Sequence, residues 1–152
     1  MGSTPGARAS LRPPGASLPV VTHHRRAIAA QDAPDAVGAY SHAIVSGGLL
    51  FCSGQIPLDP ESGELIDGDA AAEASRCLEN VDAVCAAAGA QLADAVRVTL
   101  YLTDLVGDFA AVNDAYAAFF SGADPPARVA VGVASLPKGA SVEVDAVVAL
   151  PD

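Results

Sequence analysis

The 152-residue chain is poor in cysteine and in aromatic residues, and it has no long apolar run. It has three cysteines and no tryptophan, and aromatic residues make up 5% of it. Three separated cysteines without a CxxC pair argue against a disulfide framework and a zinc knuckle, and they favour a reducing, cytoplasmic setting. No uncharged apolar run approaches the roughly 18 residues that a membrane span needs. A hydrophobic content of 51% instead predicts one soluble domain with a substantial core.

Positive charge is scarce and unevenly placed. Four of the eight Lys and Arg residues lie in residues 1–26, which contain no acid. The other four are outnumbered by 18 acidic residues, so residues 27–152 have a net charge of −14. Such a surface repels phosphate backbones and argues against a nucleic-acid partner. The chain also lacks the Walker, GxGxxG, HExxH and EF-hand patterns, so no nucleotide, zinc or calcium cofactor is predicted.

The composition changes after residue 26. Residues 1–26 combine proline, glycine, serine and arginine without helical or strand periodicity, which predicts a flexible extension. An organellar address and a disordered tail both fit this composition. Residues 27–152 have regular periodicity and are predicted to form a single domain.

Short alternating segments and two amphipathic stretches predict the elements of this domain. The predicted strands are residues 27–30, 43–45, 49–53, 96–103, 128–133 and 141–150. Gly47-Gly48 predicts a hairpin. A first helix is predicted to begin after the cap Asp69 and to end at Gly89, and a second is predicted to begin at the cap Asp108. This order predicts an α+β domain with a mainly antiparallel sheet and two helices on one face. The other face is predicted to carry Val147, Ala149, Ala130 and Gly132, an apolar surface suited to subunit packing.

Arg128 and Glu143 are the strongest candidates for chemistry. The same-parity neighbours of Arg128 are the small Ala130 and Gly132, which leave room for a carboxylate ligand. A turn at residues 136–140 between the last two strands would bring Glu143 or Asp145 beside this arginine, where a carboxylate could activate water. An ordinary salt bridge of Arg128 with one of the many acids explains the pattern as well.

Tyr40, Ser53 and Asn113 are the other polar candidates, each beside a turn or within a helix that does not favour its residue type. His42 is the only histidine in the predicted domain, and there is no GxSxG motif. A Ser-His-Asp hydrolase is therefore not predicted.

Five short motifs in this order resemble the RidA (YjgF/YER057c/UK114) family over residues 30–150. They are Ser53-Gly54-Gln55-Ile56-Pro57, Val112-Asn113 with Tyr116 and Phe119-Phe120, Pro126-Ala127-Arg128, Leu136-Pro137-Lys138, and Val142-Glu143-Val144. The resemblance implies a chorismate mutase-like subunit and a homotrimer with active sites in the clefts between subunits. It implies hydrolysis of reactive 2-imino acids or enamines to 2-oxo acids and ammonia, without a cofactor or metal.

The resemblance also implies roles for individual residues. Arg128 matches the arginine that holds the substrate carboxylate, and Glu143 matches the glutamate that positions water. Pocket residues are matched by Tyr40, Ser53 and Asn113, and by the backbone of Ala130. Two positions differ from the common pattern, since Ala39 replaces a proline and Ala130 replaces a cysteine.

Three functions are compatible with the resemblance. The first is the imine deaminase. The second is a trimer that binds small molecules or regulates a pathway without turnover, and the third is an endoribonuclease. The strongly acidic domain offers few phosphate-binding cations, which disfavours the third.

Overall fold

A computed structural model describes residues 24–152, so the predicted extension lies outside the described residues except for its last three positions. The described residues form one six-stranded sheet and two helices. The strands are β1 (Arg26–Ile28), β2 (Ala43–Ser46), β3 (Leu49–Gln55), β4 (Ala95–Leu102), β5 (Ala127–Gly132) and β6 (Val142–Ala149). The helices are α1 (Ala70–Ala87) and α2 (Leu105–Phe119), with short 3-10 turns at Leu92–Asp94 and Pro137–Gly139. The predicted α+β architecture is confirmed.

Local signals account for the ends of α1. The Asp69 carboxylate accepts a hydrogen bond from the Ala72 N–H at 2.9 Å, and Gly89 follows the helix with φ of 78°. Both are the expected cap chemistry, because a carboxylate satisfies a free N–H and glycine adopts a positive φ without strain. Neither helix of the described part is long and apolar enough to cross a membrane.

The start of α2 differs from the prediction. Asp104, not Asp108, is the N-cap, and its Oδ1 accepts from the Gly107 N–H at 2.9 Å. Gly107 leaves room for this contact, because a Cβ atom there would lie 2.8 Å from the Asp104 Cγ. Asp108 lies in the first turn, where its negative charge interacts favourably with the positive end of the helix dipole.

The sheet order is β1-β2-β3-β6-β4-β5. All neighbouring strands are antiparallel except β4 and β5, which are parallel and connected by α2. A parallel pair requires such a crossover, and an α-helix usually supplies it. The prediction that the last two strands are neighbours in the sheet is therefore wrong, because β4 lies between β5 and β6.

The two faces of the sheet have different environments. On β6, Val142, Val144, Ala146 and Val148 are buried under the helices, while the residues between them are only half-buried. The face without helices exposes 44% of Phe51 and 39% of Val129. Part of the predicted composition of this open face is wrong. Ala130 and Gly132 pair with the buried Leu100 and Leu102, so they lie on the helix face.

Candidate active site

Arg128 lies near the start of the edge strand β5 and extends over α2. Its Nη1 donates a hydrogen bond to Asn113 Oδ1 at 2.8 Å. Its Cζ lies 4.7 Å from the ring centroid of Tyr116 and 5.7 Å from that of Phe109. The faces of the two aromatic rings attract the guanidinium cation, and the hydrogen bond to the Asn113 amide oxygen orients it. Only Arg76 and Glu79 form an ion pair among residues 24–152, so no described carboxylate neutralises Arg128.

A cavity of about 460 Å³ lies beside this guanidinium, and we call it the arginine cavity. Its lining residues are Asn113, Tyr116, Ala117, Phe120, Pro125, Pro126 and Arg128. Most of this lining is apolar, and Arg128 is the only charged residue in it. An apolar pocket with one oriented cation suits a small organic anion.

Glu143 lies in a second cavity of about 320 Å³, the glutamate cavity, which is on another part of the sheet. Its lining residues are Val37, Tyr40, Ser53, Gly54, Pro137 and Glu143. Burial of the carboxyl group raises the pKa of Glu143, and the nearby charge of Asp145 raises it further. A carboxylate with a raised pKa is a stronger base for accepting a proton from water.

An irregularity in β3 explains how Glu143 approaches the backbone. Cys52 pairs with Ala146 and Gln55 with Val144, so Ser53 and Gly54 together occupy the space opposite one residue of β6. Such a bulge redirects side chains and is common next to active sites. The absence of a side chain on Gly54 is required here, because a Cβ atom would lie 2.9 Å from Cδ of Glu143.

Tyr40 and Ser53 are brought to the same cavity from neighbouring parts of the chain. The Ser53 hydroxyl donates to the Ser41 carbonyl at 2.7 Å, which joins β3 to the segment that carries Tyr40. The Tyr40 hydroxyl accepts from the Val37 N–H at 3.2 Å, and 45% of the tyrosine is exposed. Both side chains are accessible beside Glu143.

The predicted site residues thus fall into two groups. Arg128 and Asn113 belong to the arginine cavity, whereas Tyr40, Ser53 and Glu143 belong to the glutamate cavity. The strand register explains the separation. Arg128 is aligned through Val98 with Ala146 on the helix face, but Glu143 is aligned with Tyr101 on the open face. Side chains of opposite faces do not meet, so the expected contact between Arg128 and Glu143 does not form within the chain.

The remaining predicted residue, Ala130, is half-buried on the same face of β5 as Arg128 and packs against the core. Sequence reasoning assigned no role to Gly54, although a glycine within a strand is itself a signal of a bulge or a close approach. It also missed the contact of Tyr116 with Arg128.

Among residues 24–152, no three His, Cys, Asp or Glu side chains converge on a possible metal site.

Comparisons with known proteins agree with this architecture. The family model described as Endoribonuclease L-PSP matches residues 30–150. The chain is 50% identical to Protein DfrA of Myxococcus xanthus over 125 residues, which cover 81% of this chain and 94% of that protein. It is 43% identical to the 2-iminobutanoate/2-iminopropanoate deaminase of Escherichia coli over 124 residues, 80% of this chain and 95% of the enzyme.

A solved structure shows the same similarity in three dimensions. Escherichia coli TdcF, whose crystal structure contains bound serine, superposes with a TM-score of 0.78 at 39% identity. The match covers 83% of this chain and 99% of TdcF. Since the family model and these relatives span nearly all of the described residues, the chain belongs to the RidA (YjgF/YER057c/UK114) family.

Proposed function

We propose that the protein is a cofactor-independent hydrolase that converts reactive 2-imino acids and their enamine tautomers into 2-oxo acids and ammonia. The observation that carries the proposal is Arg128, an oriented guanidinium beside a cavity and without a carboxylate partner among residues 24–152. A guanidinium binds a planar carboxylate through two parallel hydrogen bonds. The similarity to a 2-iminobutanoate/2-iminopropanoate deaminase supports small 2-imino acids as the substrates.

In the proposed reaction, Arg128 holds the substrate carboxylate and Glu143 acts on water. The carbon of a protonated imine is already electrophilic, so orientation beside a water supplies much of the rate. Glu143 accepts a proton from the water as its oxygen bonds to C2, which gives an amino alcohol. Glu143 then gives this proton to nitrogen. As the C–N bond breaks, the hydroxyl oxygen forms the C=O bond and its proton passes back to Glu143, from which it exchanges with solvent. Ammonia leaves and a 2-oxo acid remains.

The two groups of residues meet between subunits in this proposal. Arg128 and Glu143 lie on opposite faces of one sheet, so a substrate that touches both requires two chains. The proposed assembly is the homotrimer that the family resemblance implies. Phe51 and Val129 on the open face supply apolar surface for subunit contacts. In a ring of three, each arginine cavity faces the glutamate cavity of a neighbour.

A subunit-mixing experiment tests this arrangement. Arg128→Ala and Glu143→Gln are each expected to be inactive, but a mixed trimer retains one site with both native groups. Random association of equal amounts should therefore restore about a quarter of the wild-type activity. Co-expression that restores none, in trimers shown to contain both variants, would contradict a site shared between subunits.

The activity itself is tested by measuring 2-oxo acid release from freshly generated 2-iminobutanoate against the uncatalysed rate. Wild type should accelerate the release, and Arg128→Ala should abolish the acceleration. Arg76→Ala is the matched control, because that arginine pairs with Glu79 on α1 and lies outside both cavities. If folded wild type gives no acceleration but binds 2-oxobutanoate, a binding or regulatory function replaces the deaminase.

A further inference from the structure

The segment between β1 and β2 carries Tyr40 to the glutamate cavity without forming a strand or helix of its own. Its internal hydrogen bonds are local. The Tyr40 N–H donates to the Gly38 carbonyl at 3.0 Å, and the Val37 N–H donates to the Tyr40 hydroxyl at 3.2 Å. These two bonds shape the tip of the segment, and the bond of Ser53 to the Ser41 carbonyl joins the end of the segment to β3. The placement of Tyr40 also depends on the groups that hold the earlier part of the segment against this end.

The imidazole of His42 joins those ends. His42 immediately precedes β2, and only 9% of it is exposed. Its Nδ1 lies 3.2 Å from the backbone nitrogen of Ala30, at the beginning of the segment. Its Nε2 lies 2.9 Å from the carbonyl oxygen of Pro34, near the middle. One buried ring thus connects three positions of a segment that has no backbone ladder.

The two partners determine the form of the ring. The Ala30 N–H can only donate, so Nδ1 must accept, and the Pro34 carbonyl can only accept, so Nε2 must donate. The neutral tautomer with hydrogen on Nε2 is the only form that satisfies both contacts. The other tautomer would leave two buried donors facing each other, which is unfavourable.

His42 is also connected to the other wall of the glutamate cavity. Its backbone carbonyl accepts from the Ser53 N–H at 2.9 Å, and the preceding Ser41 carbonyl accepts from the Ser53 hydroxyl at 2.7 Å. Tyr40 and Ser53 both line this cavity with Glu143. Both bonds use backbone carbonyls of residues 41 and 42, so they hold the end of the segment against β3 whether or not the His42 ring is present.

We propose that His42 is a positioning residue whose neutral imidazole holds residues 29–41 so that Tyr40 lies in the glutamate cavity. His42 does not line the cavity and acts through Tyr40. The kinetic part of its test rests on the proposed function, whereas the spectroscopic part does not.

Three variants separate the two hydrogen bonds of the ring. His42→Asn keeps an acceptor near the position of Nδ1, and His42→Gln keeps a donor near the position of Nε2, whereas His42→Ala removes both. We expect His42→Ala to lower kcat/KM about tenfold. The Asn and Gln variants should each recover part of this loss. Equal kcat/KM in wild type and His42→Ala would overturn the proposal.

A double-mutant cycle shows whether the effect passes through Tyr40. In a Tyr40→Ala background, His42→Ala should change kcat/KM by less than about twofold, because the group that it positions is gone. Asp82→Ala is the control, since the Asp82 carboxylate also accepts from a backbone N–H, that of Leu92 at 2.8 Å, but outside both cavities. Asp82→Ala should lower Tm and leave the Tyr40 effect unchanged. Full additivity of His42→Ala and Tyr40→Ala would also overturn the proposal.

Nitrogen NMR shifts of the His42 ring provide a readout that does not need catalysis. At neutral pH we expect a protonated Nε2 and an unprotonated Nδ1, with slow hydrogen exchange at the Ala30 amide. That amide should exchange faster in His42→Ala and remain protected in His42→Asn. A ring protonated on Nδ1, or equal exchange in all variants, would refute the positioning role. Absence of deaminase activity in a wild-type protein with the expected shifts would refute only the proposed function.

Discussion

Replacement of Gly54 with alanine should separate the stability of the fold from the position of the proposed base. An alanine Cβ would lie 2.9 Å from Cδ and 3.2 Å from Cγ of Glu143, and it would also meet Oε1. The Glu143 carboxyl group must therefore move. Because that group is the free end of a flexible side chain, its displacement costs only an unfavourable torsion, about 1 kcal/mol in the free energy of unfolding. For a domain of this size, that corresponds to a decrease of about 2–4 °C in Tm.

The effect on catalysis should be much larger. A proposed general base has to stay within about 2.6–3.2 Å of the water that it deprotonates. Relief of the contact with an alanine methyl group moves the carboxylate oxygen by about 1 Å or more, and a displacement of this size costs roughly a hundredfold in rate. We therefore expect kcat/KM for 2-iminobutanoate hydrolysis to fall about a hundredfold in Gly54→Ala, measured as 2-oxobutanoate release.

Gly122→Ala is the matched control. It adds the same methyl group, but no atom lies within 4 Å of the new Cβ, and neither glycine has a positive φ. Gly122→Ala should keep the Tm and kcat/KM of wild type. Full activity in Gly54→Ala together with lost activity in Glu143→Gln would refute this prediction, because the active carboxylate would then not lie against Gly54.

Three further predictions follow from the surroundings of Arg128 and Glu143. Arg128→Lys should raise KM about tenfold or more, because an ammonium cannot reproduce the bidentate contact; an unchanged KM in steady-state assays would contradict carboxylate binding. Asn113→Asp should also raise KM, because its carboxylate would compete with the substrate for Arg128; gain of affinity would oppose this role. Glu143 must be deprotonated to act, and its pKa is raised. As the pH is lowered, kcat/KM should therefore begin to fall at a higher pH than an ordinary glutamate would give. Asp145→Asn should shift this acidic limb to lower pH, and an unshifted limb would assign it to another group.

Local chemistry made much of the fold predictable. Asp69 and Gly89 bound α1 because a cap and a positive φ act within a few residues of the chain. Gly47 and Gly48 form the predicted hairpin with φ of 60° and 77°, since two successive positive φ values fit the twist of a two-residue turn. The second helix shows the limit of such signals. Two aspartates near its start, Asp104 and Asp108, could have capped it, and side-chain geometry selected Asp104.

Long-range pairing was not predictable in the same way. Alternation along β5 and β6 identifies two strands, but a period of two is the same whichever strand lies between them. The parallel pairing of β4 with β5 depends on the crossover through α2, which the local pattern does not specify. The expected contact of Arg128 with Glu143 failed for this reason, although both were identified as candidates.

The sequence by itself determined the α+β class, the six strands and two helices, the family and the identity of the candidate residues. These properties follow from capping, periodicity and short motifs, which act between residues close in the chain. Only the tertiary structure decided that Arg128 lies on the helix face with Asn113 and Tyr116, while Glu143 lies against Gly54 on the open face. The physical reason is that strand order and register assign side chains to faces, and both arise from hydrogen bonds between distant segments.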